Sequence, residues 1–465
     1  MNYDYDFIVI GTGPSGQRAA ITASGFGKKV AIIDRREVVG GVCINTGTIP
    51  SKTIREAVIK LTGVTERVFY GASYRVKEKI TAEDLLARVN KVIKREINIA
   101  RTFLRQSNVE VLYGVAGFID DHTIEYISSK GAKKITADKV LIAVGTMPFH
   151  LPKLAQVDNE LILDSDSVVK LKCLPKSLIV VGAGVIGIEY ASIFATLGIE
   201  VTVVDRNDKL LPFVDREIVD SLVHQMRENG ASFRLKEDVA KVEINKNNLT
   251  PITVTLKSSK VLKSDMVLFS LGRRGATDEL NLEAAGLKAE GKGLLRVNDH
   301  YQTEVPNIYA SGDVIGFPAL ASTSMEQGRQ AAYRAFERPL SRLRGFFPYG
   351  LYSVPEISYV GATEDELSAE AVPYEVGIAR YKETARGQIL GDFTGVLKLL
   401  VHRETEKLLG VHAIGTGATE LIHIGQAVIA LEGTVGYLVD SVFNYPTLAE
   451  CYKIAALNVH NKLHR

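Results

Sequence analysis

Phe7-Ile8-Val9-Ile10-Gly11-Thr12-Gly13-Pro14-Ser15-Gly16 opens the chain with four apolar residues and then three glycines spaced G-x-G-x-x-G. A short apolar run with no alternation reads as a strand covered on both faces. Residues 17–24 carry a helical pattern, residues 29–33 a second strand, and Asp34 stands 23 positions after Gly11. Together these make a complete dinucleotide-binding unit. Gly11 allows the tight turn, Gly13 lets a pyrophosphate approach the backbone, and Gly16 lets helix and strand pack closely. The helix N-terminus favours phosphate, and Asp34 can accept from a ribose hydroxyl.

The unit recurs. Residues 177–181 read as a strand, Gly182-Ala-Gly184-Val185-Ile-Gly187 follows, residues 189–197 are helical, 200–204 form a strand, and Asp205 closes it, again 23 positions on. Two complete units imply two dinucleotides and an α/β fold with two Rossmann-like domains. Asp205 suits the free 2′-hydroxyl of NAD, whereas Arg206 could bind the 2′-phosphate of NADP.

Composition narrows the function classes. The 465 residues are 46% hydrophobic and 24% charged, enough for several ordinary cores. A net charge of +2 gives no bulk attraction to nucleic acid or anionic membrane, and no apolar run reaches the ~20 residues of a spanning helix. The first strand begins too early to leave room for a signal peptide. Cys43, Cys173 and Cys451 are odd in number and far apart, which fits a reducing cytoplasm. No His/Cys cluster has metal-ligand spacing, so no metal site is expected.

Between the units, residues 53–105 read as helices with solvated charged faces, and residues 113–118 and 139–146 as strands. Pro148 and Pro152 mark a linker. Residues 239–244 and 252–256 suggest a β-meander. Further on come Gly272-Arg273-Arg274, then Val305-Pro-Asn-Ile-Tyr-Ala-Ser-Gly312-Asp313, a helix over 319–336, and Val354-Pro-Glu-Ile-Ser-Tyr-Val-Gly361. Strands over 395–401 and 408–414 precede a helix over 419–431. The chain ends with Phe443-Asn-Tyr445-Pro-Thr447-Leu-Ala-Glu450 and a helix to residue 462.

In this order the motifs resemble the two-dinucleotide-binding flavoprotein family, the class-I pyridine nucleotide-disulfide oxidoreductases. The resemblance spans essentially the whole chain. It implies FAD-binding segments at 1–150 and 273–344, an NAD(P)-binding domain at 151–272, and a C-terminal α+β dimerisation domain at 345–465. FAD would then be held by Gly11, Gly13, Pro14, Ser15, Gly16, Asp34, Arg35, Gly40, Gly41, Val42, Cys43, Lys52, Ala116, Ala143, Gly145, Asp313 and Ala321. The substrate nucleotide would be held by Gly182, Gly184, Val185, Gly187, Glu189, Asp205, Arg206 and Gly272. Lys52 would pair with Glu189 near the reactive edge of the flavin, where a positive charge favours the reduced cofactor. The helix over 319–336 would point its N-terminus at the same ring system.

The chemistry departs from the disulfide reductases at two places. The segment Gly41-Val-Cys43-Ile-Asn-Thr-Gly-Thr48-Ile-Pro-Ser-Lys52 aligns with their C-x4-C pair, but Thr48 replaces the second cysteine. A threonine hydroxyl cannot join a disulfide. The base histidine that they carry before the C-terminal proline is here Tyr445, whose reference pKa near 10 makes a poor base at neutral pH. Glu450 keeps the orienting position. Cys-x4-Thr with Phe-Asn-Tyr-Pro-Thr resembles the Si-specific transhydrogenase members of the family. It implies ping-pong hydride transfer between NADPH and NAD through the flavin, in a homodimer with Tyr445 facing the partner's flavin. Cys43 would be a packing group or, alternatively, the site of a sulfenic acid. An FAD-dependent NAD(P)H oxidase, peroxidase or quinone/metal reductase stays open, as does an NAD(P)H-sensing flavoprotein.

Overall fold

The computed structural model describes residues 3–150, 157–339 and 345–465. Pro152 and the expected boundaries near 151 and 344 lie in or beside the remaining segments.

Strand Tyr5–Ile10 pairs in parallel with Val30–Asp34 on one side and with the second half of Gly131–Ile142 on the other. Glu110–Tyr113 and Ile308–Ala310 extend the parallel array outward. The first half of Gly131–Ile142 turns antiparallel against Thr123–Ser128, which pairs with Val115–Phe118, completing a seven-stranded sheet. Residues 7–10 are buried, as an unalternating apolar strand between two layers must be. Helix Pro14–Gly25 covers one face with small residues, Gly16, Ala19, Ala20 and Ala23.

Residues 113–118 therefore do not form one strand. Tyr113 ends a parallel partner of Val30–Asp34, and Val115 begins an antiparallel hairpin. Gly114 sits at the break, where an added Cβ would lie 2.7 Å from the Ile127 carbonyl oxygen. Likewise residues 139–146 split, because Thr146–Pro148 leaves the sheet to pair with Arg273–Gly275.

The second parallel sheet has five strands, ordered Ala231–Leu235, Glu200–Asp205, Ser177–Val181, Met266–Phe269 and Ile162–Asp164. The expected meander forms its neighbour, Val239–Ile244, Ile252–Leu256 and Val261–Ser264, all antiparallel. The C-terminal sheet is antiparallel, ordered Tyr349–Leu351, Ile357–Gly361, Leu408–Ile414, Val396–His402 and Tyr374–Arg380. Helices Ala418–Ala430 and Glu450–Leu463 pack on it. This is the α/β architecture with a C-terminal α+β unit.

One buried cluster ties the last sheet to the second parallel unit. Lys398 is 1% exposed and donates from Nζ to both Asp215 oxygens at 3.0 Å, to Glu217 at 2.7 Å, and to Glu364. Burial pulls this ammonium's pKa down, but the carboxylates of Glu217, Glu364 and Asp215 more than reverse it, leaving it above the ordinary lysine value. Asp215 also caps helix Arg216–Glu228 by accepting from the Glu217 amide.

Candidate active site

The two glycine turns are built alike. Gly11 has φ +109° and Gly182 φ +102°, and a Cβ on either would lie 2.3 or 2.4 Å from a carbonyl oxygen, of Ala143 or Ser270. Gly16 and Gly187 meet the preceding turn even more closely, at 1.9 and 2.0 Å from the Gly11 and Gly182 oxygens. Only hydrogen fits there, so both helices start flush against their strands.

Each turn is braced by its acidic residue. Asp34 Oδ2 accepts from the Thr12 amide at 3.0 Å and from the Thr12 hydroxyl, and Oδ1 accepts from the Arg36 amide at 2.9 Å. Asp205 Oδ2 accepts from the Ala183 amide at 2.6 Å, while Oδ1 takes the Asn207 amide and side-chain NH2 at 2.8 and 2.9 Å. A carboxylate offers about four lone-pair sites, so each keeps capacity for a ribose hydroxyl.

A cleft of ≈ 1160 Å³, open mouth included, runs from the first turn across the strand ends. Every residue assigned from sequence to the first nucleotide lines it except Gly16, Gly40 and Lys52. Gly16 is buried beneath the turn, and the Gly40 amide donates to Thr12 instead. Thr12, Arg36, Ser311, Gly312, Ala319 and Ser324, to which sequence reading gave no binding role, also lie on the lining, with Thr48. Thr12 lies inside the glycine fingerprint, and Ser324 one turn into helix Ala321–Ala335, where its hydroxyl donates to Asp313 at 3.0 Å. Ser15 and Ser311 hydroxyls pair at 2.6 Å across the two halves of the cleft.

Cys43 and Thr48 both line this cleft, Cys43 from the short helix Gly41–Asn45 and Thr48 from the first turn of Thr48–Thr62. Burial raises the Cys43 thiol pKa, and a hydrogen bond with Thr48 offsets part of that rise. All three cysteines are free. Cys451 is buried and its thiol is pushed up to about 12, mainly by burial, whereas Cys173 is exposed.

Helix Thr48–Thr62 puts Thr48 and Lys52 one turn apart. Lys52 Nζ donates to both Glu189 oxygens, at 3.0 and 2.8 Å. Glu189 is 4% exposed and its Oε1 also accepts from the Tyr352 amide at 2.8 Å. The ammonium lies 4.9 Å from the centre of the Tyr352 ring, a cation–π contact sequence reading did not find.

Gly184 and Gly272 face open space, where an added Cβ meets nothing within 4 Å, and Val185 begins the helix after the second turn. Arg206 is exposed beside Asp205. Tyr445 and Glu450 are not brought to the cleft within one chain. Tyr445 is 73% exposed, and one Glu450 oxygen is buried with no hydrogen-bond partner among the described residues.

Comparison with known proteins places these motifs. Residues 5–328 match the pyridine nucleotide-disulphide oxidoreductase family, and residues 347–456 its dimerisation domain. Proteins named soluble pyridine nucleotide transhydrogenase are similar over 99% of the chain. That of Mycobacterium bovis is 53% identical over 98% of its own length, and that of Colwellia psychrerythraea 44% over 99%. Among solved structures, LpdA from Mycobacterium tuberculosis superposes with TM-score 0.89 at 28% identity, covering 97% of this chain and 99% of its own. The HOCl-induced flavoprotein disulfide reductase RclA from Escherichia coli gives 0.88 at 27%, covering 98% and 100%. By sequence, motif order and fold, the chain belongs to the pyridine nucleotide-disulphide oxidoreductase family.

Proposed function

We propose that the chain is an FAD-dependent transhydrogenase, exchanging hydride between NADPH and NAD+ (NADPH + NAD+ to NADP+ + NADH) with no redox disulfide. One observation carries this reading: both nucleotide turns are complete, while the sulfur-pair position beside the cleft holds Cys43 and Thr48, a single free thiol.

The cleft suits FAD. Gly13 and Gly145 line it, and a Cβ on either would meet no atom within 4 Å, so the bare backbone is left free for a ligand. The turn amides and the Pro14–Gly25 helix N-terminus would hold the pyrophosphate, and Asp34 the adenosine ribose. Bound there, FAD supplies a two-electron acceptor and donor that takes hydride from one nicotinamide and yields it to the next. The chain's own contribution is placement and charge. Lys52 keeps a positive charge beside the cleft, held by Glu189 from the second unit's helix, and this favours the electron-rich state of whatever sits there. The second turn orients the nicotinamide nucleotide, with Asp205 and Arg206 reading its ribose. Alternate occupancy of that one site by donor and acceptor makes the kinetics ping-pong.

By the same reading the chain is a cytoplasmic homodimer, built through residues 347–456, with Tyr445 and Glu450 facing the cleft of a second copy. The peroxidase alternative needs a Cys43 thiolate, and burial works against one.

Anaerobic stopped-flow tests the reading. NADPH should bleach the yellow absorbance of the purified protein, and NAD+ should restore it with release of NADH. Efficient turnover of a dithiol or disulfide substrate, or peroxide production faster than NADH formation, would refute it.

A further inference from the structure

The C-terminal helix Glu450–Leu463 carries His460 in its last turn, with His464 just beyond, four positions on and therefore on the same face. Opposite them stands Glu406, in the turn between strands Val396–His402 and Leu408–Ile414, with φ 54°. One ligand atom from each of the three lies within 4.8 Å of the other two. His464 Nε2 is 3.3 Å from Glu406 Oε1, and the two imidazole centroids are 4.3 Å apart at 52°. His460 Nδ1 is buried with no hydrogen-bond partner among the described residues.

We infer that Glu406, His460 and His464 form a binding site for one divalent transition ion of the zinc type. The nearest lysines in sequence are engaged elsewhere, Lys407 with Glu432 at 2.7 Å and Lys462 with the Val376 carbonyl at 2.6 Å and Glu375 at 3.3 Å. Neither ammonium neutralises Glu406. Two imidazoles and a carboxylate suit a borderline cation, not a hard one such as Mg2+. Tetrahedral zinc at about 2.0–2.2 Å from each donor needs donors roughly 3.3–3.5 Å apart. The Glu406–His464 pair already meets that, and the third donor closes the gap by side-chain rotation. Water would take the fourth position. The H-x3-H pair supplies only two ligands, and the third, a carboxylate, comes from a hairpin more than fifty residues upstream, beyond the reach of sequence spacing. Such an ion joins the end of the last helix to the sheet that the helix covers. It thereby steadies the segment that carries Tyr445 and Glu450 at the helix's other end.

Metal counting on the full-length holoprotein tests this, after chelator treatment and dialysis against ZnCl2, CoCl2 or MgCl2. Wild type should retain one more Zn2+ or Co2+ per chain than the His460→Ala/His464→Ala double variant, and no Mg2+. Zinc held at Cys43 would appear in both proteins and cancel. Zinc should raise the melting temperature of wild type and not of the double variant. His464→Ala alone and the near-isosteric Glu406→Gln alter partly exposed side chains and guard against misfolding. Each should weaken zinc affinity at least tenfold. Equal zinc retention by wild type and double variant, or unchanged affinity in both single variants, would overturn the site.

Discussion

The two nucleotide units share a turn geometry to within a few tenths of an ångström, yet they differ in what surrounds the turn. In the first, Asp34 is 9% exposed, and the turn feeds a deep cleft closed by Gly41–Asn45, Asp313 and helix Ala321–Ala335. In the second, Asp205 is half-buried, Arg206 is exposed, and none of the turn glycines lines that cleft. The local stereochemistry says only that a pyrophosphate fits. On the proposed reading, enclosure would separate a resident cofactor from a nucleotide that must come and go, because release costs more when many contacts break together.

That contrast can be broken most severely at the glycines. Gly11→Ala forces a Cβ against the Ala143 carbonyl and should yield protein without bound flavin, read from its visible absorbance. Gly182→Ala meets the Ser270 carbonyl in the same way. It should keep the flavin but lose roughly 100-fold in kcat/KM for either nucleotide, about 2.7 kcal/mol. Flavin loss from both variants would show that the units are not independent.

The ion pair between the units comes next. Lys52→Met leaves the buried Glu189 with only the Tyr352 amide, so hydride exchange should slow by about 10- to 100-fold. Stability should fall by about 2 kcal/mol, less than a fully buried pair would lose because Lys52 is 26% exposed. Glu189→Gln should be milder on both counts, as checked by single-turnover kinetics and urea denaturation.

Arg206 sharpens the contrast from the open side. Arg206→Ala should raise KM for NADPH about tenfold, the worth of one charged hydrogen bond, with little change for NADH. Equal shifts for both would mean that Arg206 does not read the 2′-phosphate.

The smallest effect is expected at Cys43. If it packs and does no redox work, Cys43→Ser should change turnover by less than about threefold, under 0.7 kcal/mol. Because its pKa is raised, the thiol stays protonated at neutral pH, and alkylation should accelerate only as pH climbs past the usual thiol value of about 8.5. Thr48→Val removes the bond that lowers that pKa and should move the onset higher still. Rapid labelling at pH 7, or loss of turnover in Cys43→Ser, would restore a chemical role.

Sequence reading reached both glycine units because their stereochemistry is local. A turn that only glycine tolerates, at a fixed distance from an acidic residue, leaves a pattern in a single segment. It also located Cys43, Thr48 and Lys52, which lie within ten residues of one another. The breaks at Gly114 and after Ile142 were not legible, because an apolar run does not say which of two sheets its ends will join. Nor were the Thr12 hydroxyl on Asp34, the Ser15–Ser311 pair and Tyr352 under Lys52. Those contacts depend on which distant segments meet, and a serine or tyrosine at such a point looks like any other.

Lys398 bears on how the second nucleotide unit is held to the rest of the molecule. By gripping the cap of helix Arg216–Glu228 from the C-terminal sheet, it cross-braces the second nucleotide unit to the body of the molecule. A nucleotide held by the second turn would then dock on a unit tied to the C-terminal sheet. If the proposed hydride exchange holds, its turnover should follow the release of spent coenzyme and not the swing of a domain.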